Sequence, residues 1–327
     1  MDLIGVDIGG TKVSVCLGDV EGNIVAHKRV ATASLGSPEK GLQKILDLIG
    51  HLLRDENKEV HEITGIGLAV PGPMSVREGK MLCPPNLPEW IDVPIVQFFR
   101  ERLGRPVFIN NDANAGALAE WEFGAAKHAN HLVYLTMSTG MGGGIIAHGK
   151  LIQGETDTAG EVGHFVLDPK GPQCPCGQKG CFEVYCGGRN VALSLQKVIQ
   201  EQKIQTAILE KAGGAVDKID MKCLAHAVKK GDSFALEVWE GFLERLAQGI
   251  GILLMTLNPD ALLLGTIATH THELVMKPLL KALPRYCWKE PLAHCRVEAS
   301  QLGDNIGKLG ALALAINGLR ESSKVDF

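Results

Sequence analysis

The sequence predicts an α/β protein built twice on one plan, and three observations carry that expectation. Short β-branched runs alternate along the chain with segments of helical periodicity. A glycine-turned hairpin opens the chain around residues 7–12, and another opens its later half around residues 138–144. The length, 327 residues, suits about two domains.

The elements follow in order. Leu3, Ile4, Gly5 and Val6 form an apolar strand ending at Asp7, and Gly9, Gly10 and Thr11 turn the chain. Residues 13–17 make a second strand, and residues 24–25 begin a third after a turn at Glu21, Gly22 and Asn23. A helix follows Ser37, which is placed to cap it, with Pro38 at its first position and Leu42, Ile45, Leu46, Ile49 and Leu53 on one face. Residues 66–70 read as a buried strand stopped by Pro71, Gly72 and Pro73, and residues 107–109 as another, with a helix from Ala113. The second hairpin has strands at 132–135 and 145–147, joined by a turn at 138–144; a turn at 148–150 leads to residues 151–152. A helix at 233–257, a strand at 261–265, a helix at 272–283 and a last helix from Asn305 complete the chain. The expected N-terminal domain spans 1–112 and recovers the helix at 305–327; the expected larger domain spans 113–304.

Composition narrows the function classes. The chain is 45% hydrophobic and 21% charged, with a formal net charge of −4. No basic block suggests a nucleic-acid or membrane surface. No apolar run approaches the roughly 20 residues that span a bilayer. The start lacks the basic region of a signal peptide, so a cytoplasmic protein is expected.

Three groups of residues carry chemistry. The first turn, Asp7-Ile8-Gly9-Gly10-Thr11-Lys12, has the makings of a phosphate loop. Its glycines let backbone N–H groups approach an anion, Thr11 adds a donor, Lys12 adds charge, and Asp7 can hold Mg²⁺ through water. No G-x-x-x-x-G-K-[ST] pattern occurs, which excludes a P-loop NTPase. The second turn repeats the pairing of threonine with glycine at Thr139 and Gly140. A plain tight hairpin is the competing reading of either turn.

At the end of the strand at 107–109 stand Asn110, Asn111 and Asp112. Strand carboxyl ends face the ligand crevice of an α/β sheet, so Asp112 is a candidate general base. Taken alone, it reads better as an ordinary helix N-cap. Asn111 beside it can both donate to and accept from a hydroxyl.

The third group is a metal site. Of nine cysteines, Cys174, Cys176 and Cys181 cluster as C-x-C-x₄-C, with His164 upstream. In a reducing compartment clustered thiols favour a metal over a disulfide. Three thiolates and an imidazole close a tetrahedral shell around Zn²⁺ and leave no place for water, so the expected zinc is structural. Glu161 and Glu183 flank the cluster as two carboxylates.

Taken together, these residues resemble the ROK sugar kinases, and within them the bacterial-type glucokinases. The resemblance covers essentially the whole chain. It rests on Asp7-Ile8-Gly9-Gly10-Thr11, the loop from Pro84 to Trp90, Asn110-Asn111-Asp112, residues 138–144, Glu161-Val162-Gly163-His164, and Cys174-Pro175-Cys176-Gly177-Gln178-Lys179-Gly180-Cys181-Phe182-Glu183. It implies an actin-like, ribonuclease H-like duplicated fold of two α/β domains with a ligand cleft between them. It implies ATP-dependent phosphorylation of glucose to glucose 6-phosphate, with Asp112 as the base on the 6-hydroxyl and Mg²⁺ accompanying ATP.

By the same resemblance, Gly72, Asn86, Asn111, Glu161, His164 and Glu183 match sugar contacts, with His164 also a zinc ligand. Gly9, Gly10, Thr11 and Lys12 match the first phosphate turn, and Thr139 and Gly140 the second. Gly265 falls where the family has an adenosine-side glycine pair, but Thr266 follows it here. A homodimer is the family expectation. The same motifs serve kinases of N-acetylglucosamine, N-acetylmannosamine, mannose or fructose, so these are the enzymatic alternatives. Some relatives are sugar-responsive repressors with a helix-turn-helix module ahead of the kinase fold. The turn at residue 7 leads to the expectation that no such module precedes it, and a non-catalytic sugar sensor is the remaining alternative.

Overall fold

The structure is a computed structural model that describes residues 1–127 and 129–323. Among them, two compact units form: residues 1–127, 151–159 and 304–323 make one, and residues 129–150 and 160–303 the other.

The first unit is organised by strand β1 (Asp2–Ile8), whose residues alternate between two cores. Ile4, Val6 and Ile8 face one, and Leu3 faces the other. β1 pairs antiparallel with β2 (Lys12–Asp19), and β2 pairs antiparallel with β3 (Ile24–Ala31). β3 runs well past the two residues expected from sequence. Its partly buried and exposed positions alternate, as on a strand with one solvated face.

Helix α1 (Pro38–Asp55) buries Leu42, Ile45, Ile49, Leu52 and Leu53. Pro38 takes the expected first position, but the Ser37 side chain makes no capping bond. The Ser37 carbonyl instead accepts the Gly41 N–H at 2.9 Å. β4 (Ile63–Val70) returns parallel to β1. A small hairpin, β5 (Met74–Ser75) with β6 (Lys80–Met81), and helix α2 (Ile95–Leu103) lead to β7 (Val107–Asn111), parallel to β4. The sheet order is β3-β2-β1-β4-β7.

The far side of this sheet is covered by the C-terminal helix, Ile306–Ser322. Small residues make that possible. A Cβ on Gly67 of β4 would lie 1.9 Å from the Ala311 carbonyl oxygen. The same helix packs along helix α3 (Asp112–Glu122), where Gly310 lies against Ala115. This packing carries α3 into the first unit, past the boundary at 112 expected from sequence. Residues 151–159 rejoin the first unit as well, tied by two hydrogen bonds. Asn110 Nδ2 donates to Gln153 Oε1 at 2.7 Å, and the Val76 N–H donates to Asp157 Oδ2 at 2.8 Å.

The second unit repeats the sheet. β8 (His131–Met137) pairs antiparallel with β9 (Met141–Ala147), and β10 (Lys150–Leu151) lies next to β9. β11 (Ala261–Leu264) is parallel to β8, and β12 (Arg296–Ala299) is parallel to β11. The order β10-β9-β8-β11-β12 matches that of the first sheet position for position. The duplication expected from the two hairpins is present in the topology.

One boundary differs from the sequence reading. The turn ends at Gly140, and Gly142, Gly143 and Gly144 belong to β9, opposite Thr136, Leu135 and Tyr134. Close packing explains the glycine run: a Cβ on Gly143 would come within 2.8 Å of Val162 and 3.0 Å of the Gly160 carbonyl oxygen. The long helix Ser233–Leu257 matches the sequence reading and is capped by Asp232, which accepts the Ala235 N–H at 2.9 Å. It buries Leu246, Ile250 and Leu254 in a core shared with β8 and β11. No helix among the described residues is long and apolar enough to cross a membrane.

Candidate functional site

The first glycine turn is held tightly. The Gly9 N–H donates to the Lys12 carbonyl at 2.9 Å, Thr32 Oγ1 donates to the Gly9 carbonyl at 2.7 Å, and the Thr32 N–H donates to the Thr11 carbonyl at 3.0 Å. Thr11 and Lys12 remain exposed. The Asn86 amide sits over the turn, close enough that a Cβ on Gly10 would lie 2.8 Å from its Nδ2. Asn86 is exposed, on a loop anchored by the fully buried Trp90, whose Nε1 donates to the Gly36 carbonyl at 3.1 Å. Trp90 is therefore a core residue that presents Asn86.

Asp7 ends β1 beneath this turn. Its surface is partly open, but dense surroundings raise its carboxyl from 3.8 to about 6, first by desolvation and then by the negative charge of Asp112. Lys12 and Lys308 oppose that rise. Lys308 and Gly307, whose Cβ would meet the Asp7 carboxylate at 2.3 Å, come from the C-terminal helix. Sequence reasoning missed both, because nothing local links residue 7 to residue 308.

The two readings of Asp112 are separated by the helix start. Asn111 is the N-cap of α3, its side chain accepting the Asn114 N–H at 2.7 Å. Asp112 is the first helical residue and is exposed. Asn110 braces the cap: its Oδ1 accepts from the Asn111 N–H at 2.9 Å and from Asn114 Nδ2 at 2.8 Å. The structure thus brings Asp7, Asn86, Asn111 and Asp112 to one end of the first unit's sheet chemistry, with Asp7 and Asp112 close enough to interact electrostatically.

In the second unit, His164, Cys174, Cys176 and Cys181 converge, with their ligand atoms all within 4.8 Å of one another. His164 presents Nδ1 at 3.7 Å from Cys174 Sγ, and the Cys176 and Cys181 sulfurs are 3.6 Å apart. Ligands bound tetrahedrally to zinc at usual lengths stand about 3.6 to 3.8 Å apart, and these two separations match that range. Burial pushes the Cys174 thiol up, and the Cys181 thiol up to about 12. A cation is what would make such thiols thiolates at neutral pH. The buried Cys186 is not among the converging residues.

Backbone geometry builds this knuckle. The Cys174 N–H donates to the Gln178 carbonyl at 2.8 Å, and the Gly180 N–H to the Pro172 carbonyl at 2.8 Å. Gly180 has φ +66, and a Cβ there would lie 1.6 Å from the Asp168 carbonyl oxygen. Arg245 of the long helix pairs with Asp168 at 3.2 Å, and Gln248 donates to the Leu167 carbonyl at 3.2 Å.

Helix α4 (Phe182–Cys186) starts right after Cys181 and carries Glu183. Glu183 Oε2 accepts the Met141 N–H at 2.8 Å, so this carboxylate also meets the second glycine turn. Glu161 is exposed at the start of the short helical turn Val162–His164. Thr139 is exposed, and Gly140 lies directly under Glu183.

The ROK family pattern matches residues 3–317. The chain belongs to the ROK family. It is 33% identical over 316 residues to a glucokinase of Thermotoga maritima, across 96% of this chain and 97% of that one. It is 33% identical to a xylose repressor of Bacillus spizizenii over 315 residues, across 96% of this chain and 76% of that protein. Among solved structures, it superposes on a ROK family glucokinase from Streptomyces griseus in complex with glucose and AMPPNP. That match has a TM-score of 0.81 and 31% identity, covering 97% of this chain and 100% of the other. The actin-like ROK fold expected from the motifs is the fold observed.

Two remaining residues can be placed within the ROK frame. Gly72 lies partly exposed after β4, and a Cβ there would meet nothing within 4 Å. Gly265 is buried at the end of β11, where its N–H donates to the Leu135 carbonyl at 2.8 Å and a Cβ would strike the Tyr134 hydroxyl at 2.3 Å. Its neighbour Thr266 has φ +44 and ψ −90, a conformation that glycine takes readily and a β-branched residue does not.

Proposed function

We propose that this ROK protein phosphorylates glucose on its 6-hydroxyl at the expense of ATP. The observation that carries the reading is Asp112: exposed, at the first position of a helix capped by Asn111, and near enough to Asp7 for its charge to act on that carboxyl. An aspartate so placed can take the proton of a hydroxyl as its oxygen forms a bond to the γ-phosphorus and ADP departs. Asp7, Gly9, Gly10, Thr11 and Lys12 are the proposed phosphate-side residues of the first unit, and Thr139, Gly140 and Gly265 the nucleotide-side residues of the second. Mg²⁺ would neutralise phosphate charge, held through water by Asp7.

Gly72, Asn86 and Asn111 of the first unit, with Glu161, His164 and Glu183 of the second, are the proposed sugar ligands. Glu183 has Oε1 for a hydroxyl while Oε2 serves Met141. His164 would hold zinc through Nδ1 and offer Nε2 to the sugar. Cys174, Cys176 and Cys181 complete a structural zinc site, since four protein ligands leave no position for a reacting water. We take the two compact units as the two domains of a cytoplasmic, homodimeric enzyme.

The glucose-bound relative from Streptomyces griseus supports the choice of sugar. A coupled assay for ADP release over a hexose panel tests it. The expected order places glucose above N-acetylglucosamine, N-acetylmannosamine, mannose and fructose in kcat/KM. Higher efficiency on an N-acetylated hexosamine would reassign the substrate. The repressor relatives favour a second reading, a sugar sensor without turnover. Sugar binding without ADP release from any of these hexoses would select it.

A further inference from the structure

The second glycine turn is gripped from two sides by one short segment of chain, residues 183–189. From one side, Glu183 Oε2 accepts the Met141 N–H at 2.8 Å. Gly140 permits this approach, since a Cβ there would lie 2.5 Å from that oxygen. From the other side, the first residues of helix α5 (Gly188–Gln202) donate to the turn's carbonyls. The Gly188 N–H reaches Ser138 O at 2.9 Å, and the Arg189 N–H reaches Thr139 O at 2.9 Å. Gly188 also allows a close approach, because a Cβ there would come within 2.5 Å of Ser138 O.

These bonds fix three successive peptide groups of the turn. They also fix which groups are left over. With Ser138 and Thr139 carbonyls and the Met141 N–H engaged, the outward hydrogen-bonding capacity of the turn lies in the Thr139 and Gly140 N–H groups and the exposed side chains of Ser138 and Thr139. That is a donor surface suited to phosphate oxygens. Segment 183–189 is in turn continuous with the metal knuckle, because α4 follows Cys181 directly and Phe182 stacks on Phe165 at 5.2 Å. The ring of Phe182 is pinned by the long helix, where a Cβ on Gly249 would meet it at 2.3 Å.

We propose that Glu183 is a positioning residue for the second phosphate turn, and that residues 183–189 set the affinity for the nucleotide's phosphates independently of any sugar. The proposal rests on the reading of this turn as a phosphate site. It goes beyond a sugar role for Glu183, because the contact it invokes is to the backbone of the turn. A carboxylate accepting a backbone N–H makes a charge-assisted bond, stronger than one between neutral groups.

The test is binding of a non-hydrolysable ATP analogue with Mg²⁺, in the absence of sugar, together with amide hydrogen exchange across residues 138–144. Glu183→Ala removes the acceptor, and Gly188→Ala pushes on Ser138 from the other side. Each is expected to weaken the analogue by roughly tenfold and to speed exchange in the turn, as loss of a hydrogen bond to a charged group should. Glu183→Gln keeps an acceptor for Met141, and affinity should recover to within about threefold of the parent. Parent-like affinity and parent-like exchange in Glu183→Ala would overturn the proposal. If the parent protein fails to bind the analogue, the nucleotide reading falls, while the exchange data still decide whether Glu183 holds the turn.

Discussion

The side chain of Asn111 accepts the Asn114 N–H at 2.7 Å, which makes Asn111 the cap of α3 and leaves Asp112 as the helix's first residue. Neighbouring residues of the same motif thus hold different positions at the helix start. Replacing Asn111 with Ala removes the cap and should cost about 1 kcal/mol of stability. Replacing Asp112 with Asn keeps the side chain's size and leaves the Asn111 cap in place, and it should lower kcat by at least about a hundredfold if it is the base. Sugar binding should persist in that variant. Thermal melts and the coupled assay on both variants separate the roles, and near-parental turnover in Asp112→Asn would remove it from the chemistry.

Asp7 gives the protein a pH signature. Its carboxyl is raised from 3.8 to about 6 in the folded state, by burial and then by Asp112, with Lys12 and Lys308 acting against the rise. A carboxyl raised on folding binds its proton more tightly in the native state. Its contribution to stability is therefore full below about pH 3.8 and is lost as pH climbs through about 6. At neutral pH the ionised Asp7 is a burden on the fold. Asp7→Asn should melt higher than the parent at pH 8, and the gap should shrink as pH falls from 6 towards 4. A gap that does not vary with pH would show that Asp7 does not titrate as described.

The His164, Cys174, Cys176 and Cys181 cluster should hold about one zinc ion per chain by elemental analysis. A strong chelator should lower the melting temperature, because metal binding free energy is folding free energy for such loops. Cys176→Ser should lose the metal. Gly180→Ala should also lose it, although Gly180 supplies no ligand atom, because its φ of +66 and the 1.6 Å approach to Asp168 leave no room for a methyl group. Metal-free protein with the parental melting temperature would refute the structural role.

Thr266 is held at φ +44 and ψ −90. Strain of this kind costs on the order of 1–3 kcal/mol, partly offset when glycine, with its greater freedom in the unfolded chain, takes its place. Thr266→Gly should therefore stabilise the protein by about 1 kcal/mol in denaturant melts. A destabilised variant would mean that the threonine side chain does more for the fold than its backbone costs.

Local signals made much of this legible in the sequence. The candidate metal ligands could be found because all four lie in one stretch whose chemistry is in its residue types. The helix at 233–257 was expected from sequence, while its cap at Asp232 came only with the structure. The glycine run at 140–144 was only half legible. Its residues look like a turn, and only packing against Gly160 and Val162 reveals that three of them lie in a strand. Ser37 had the composition of a cap without the bond, since backbone geometry and not residue type decides whether the side chain reaches. Trp90 ends the loop that carries part of the family resemblance, and the structure shows it to be that loop's buried anchor.

The sequence by itself determined the duplicated α/β plan, the donor set for a metal and the candidate base, because each depends on residue type at short spacing. Tertiary structure decided the rest. It placed Lys308 and Gly307 against Asp7, Gln153 against Asn110, and Glu183 against Met141. These contacts join residues far apart in the chain, and they form only after sheets and helices have packed. No local pattern encodes them, because they depend on the space that glycines and alanines leave elsewhere, as at Gly67 against Ala311 and Gly140 beneath Glu183.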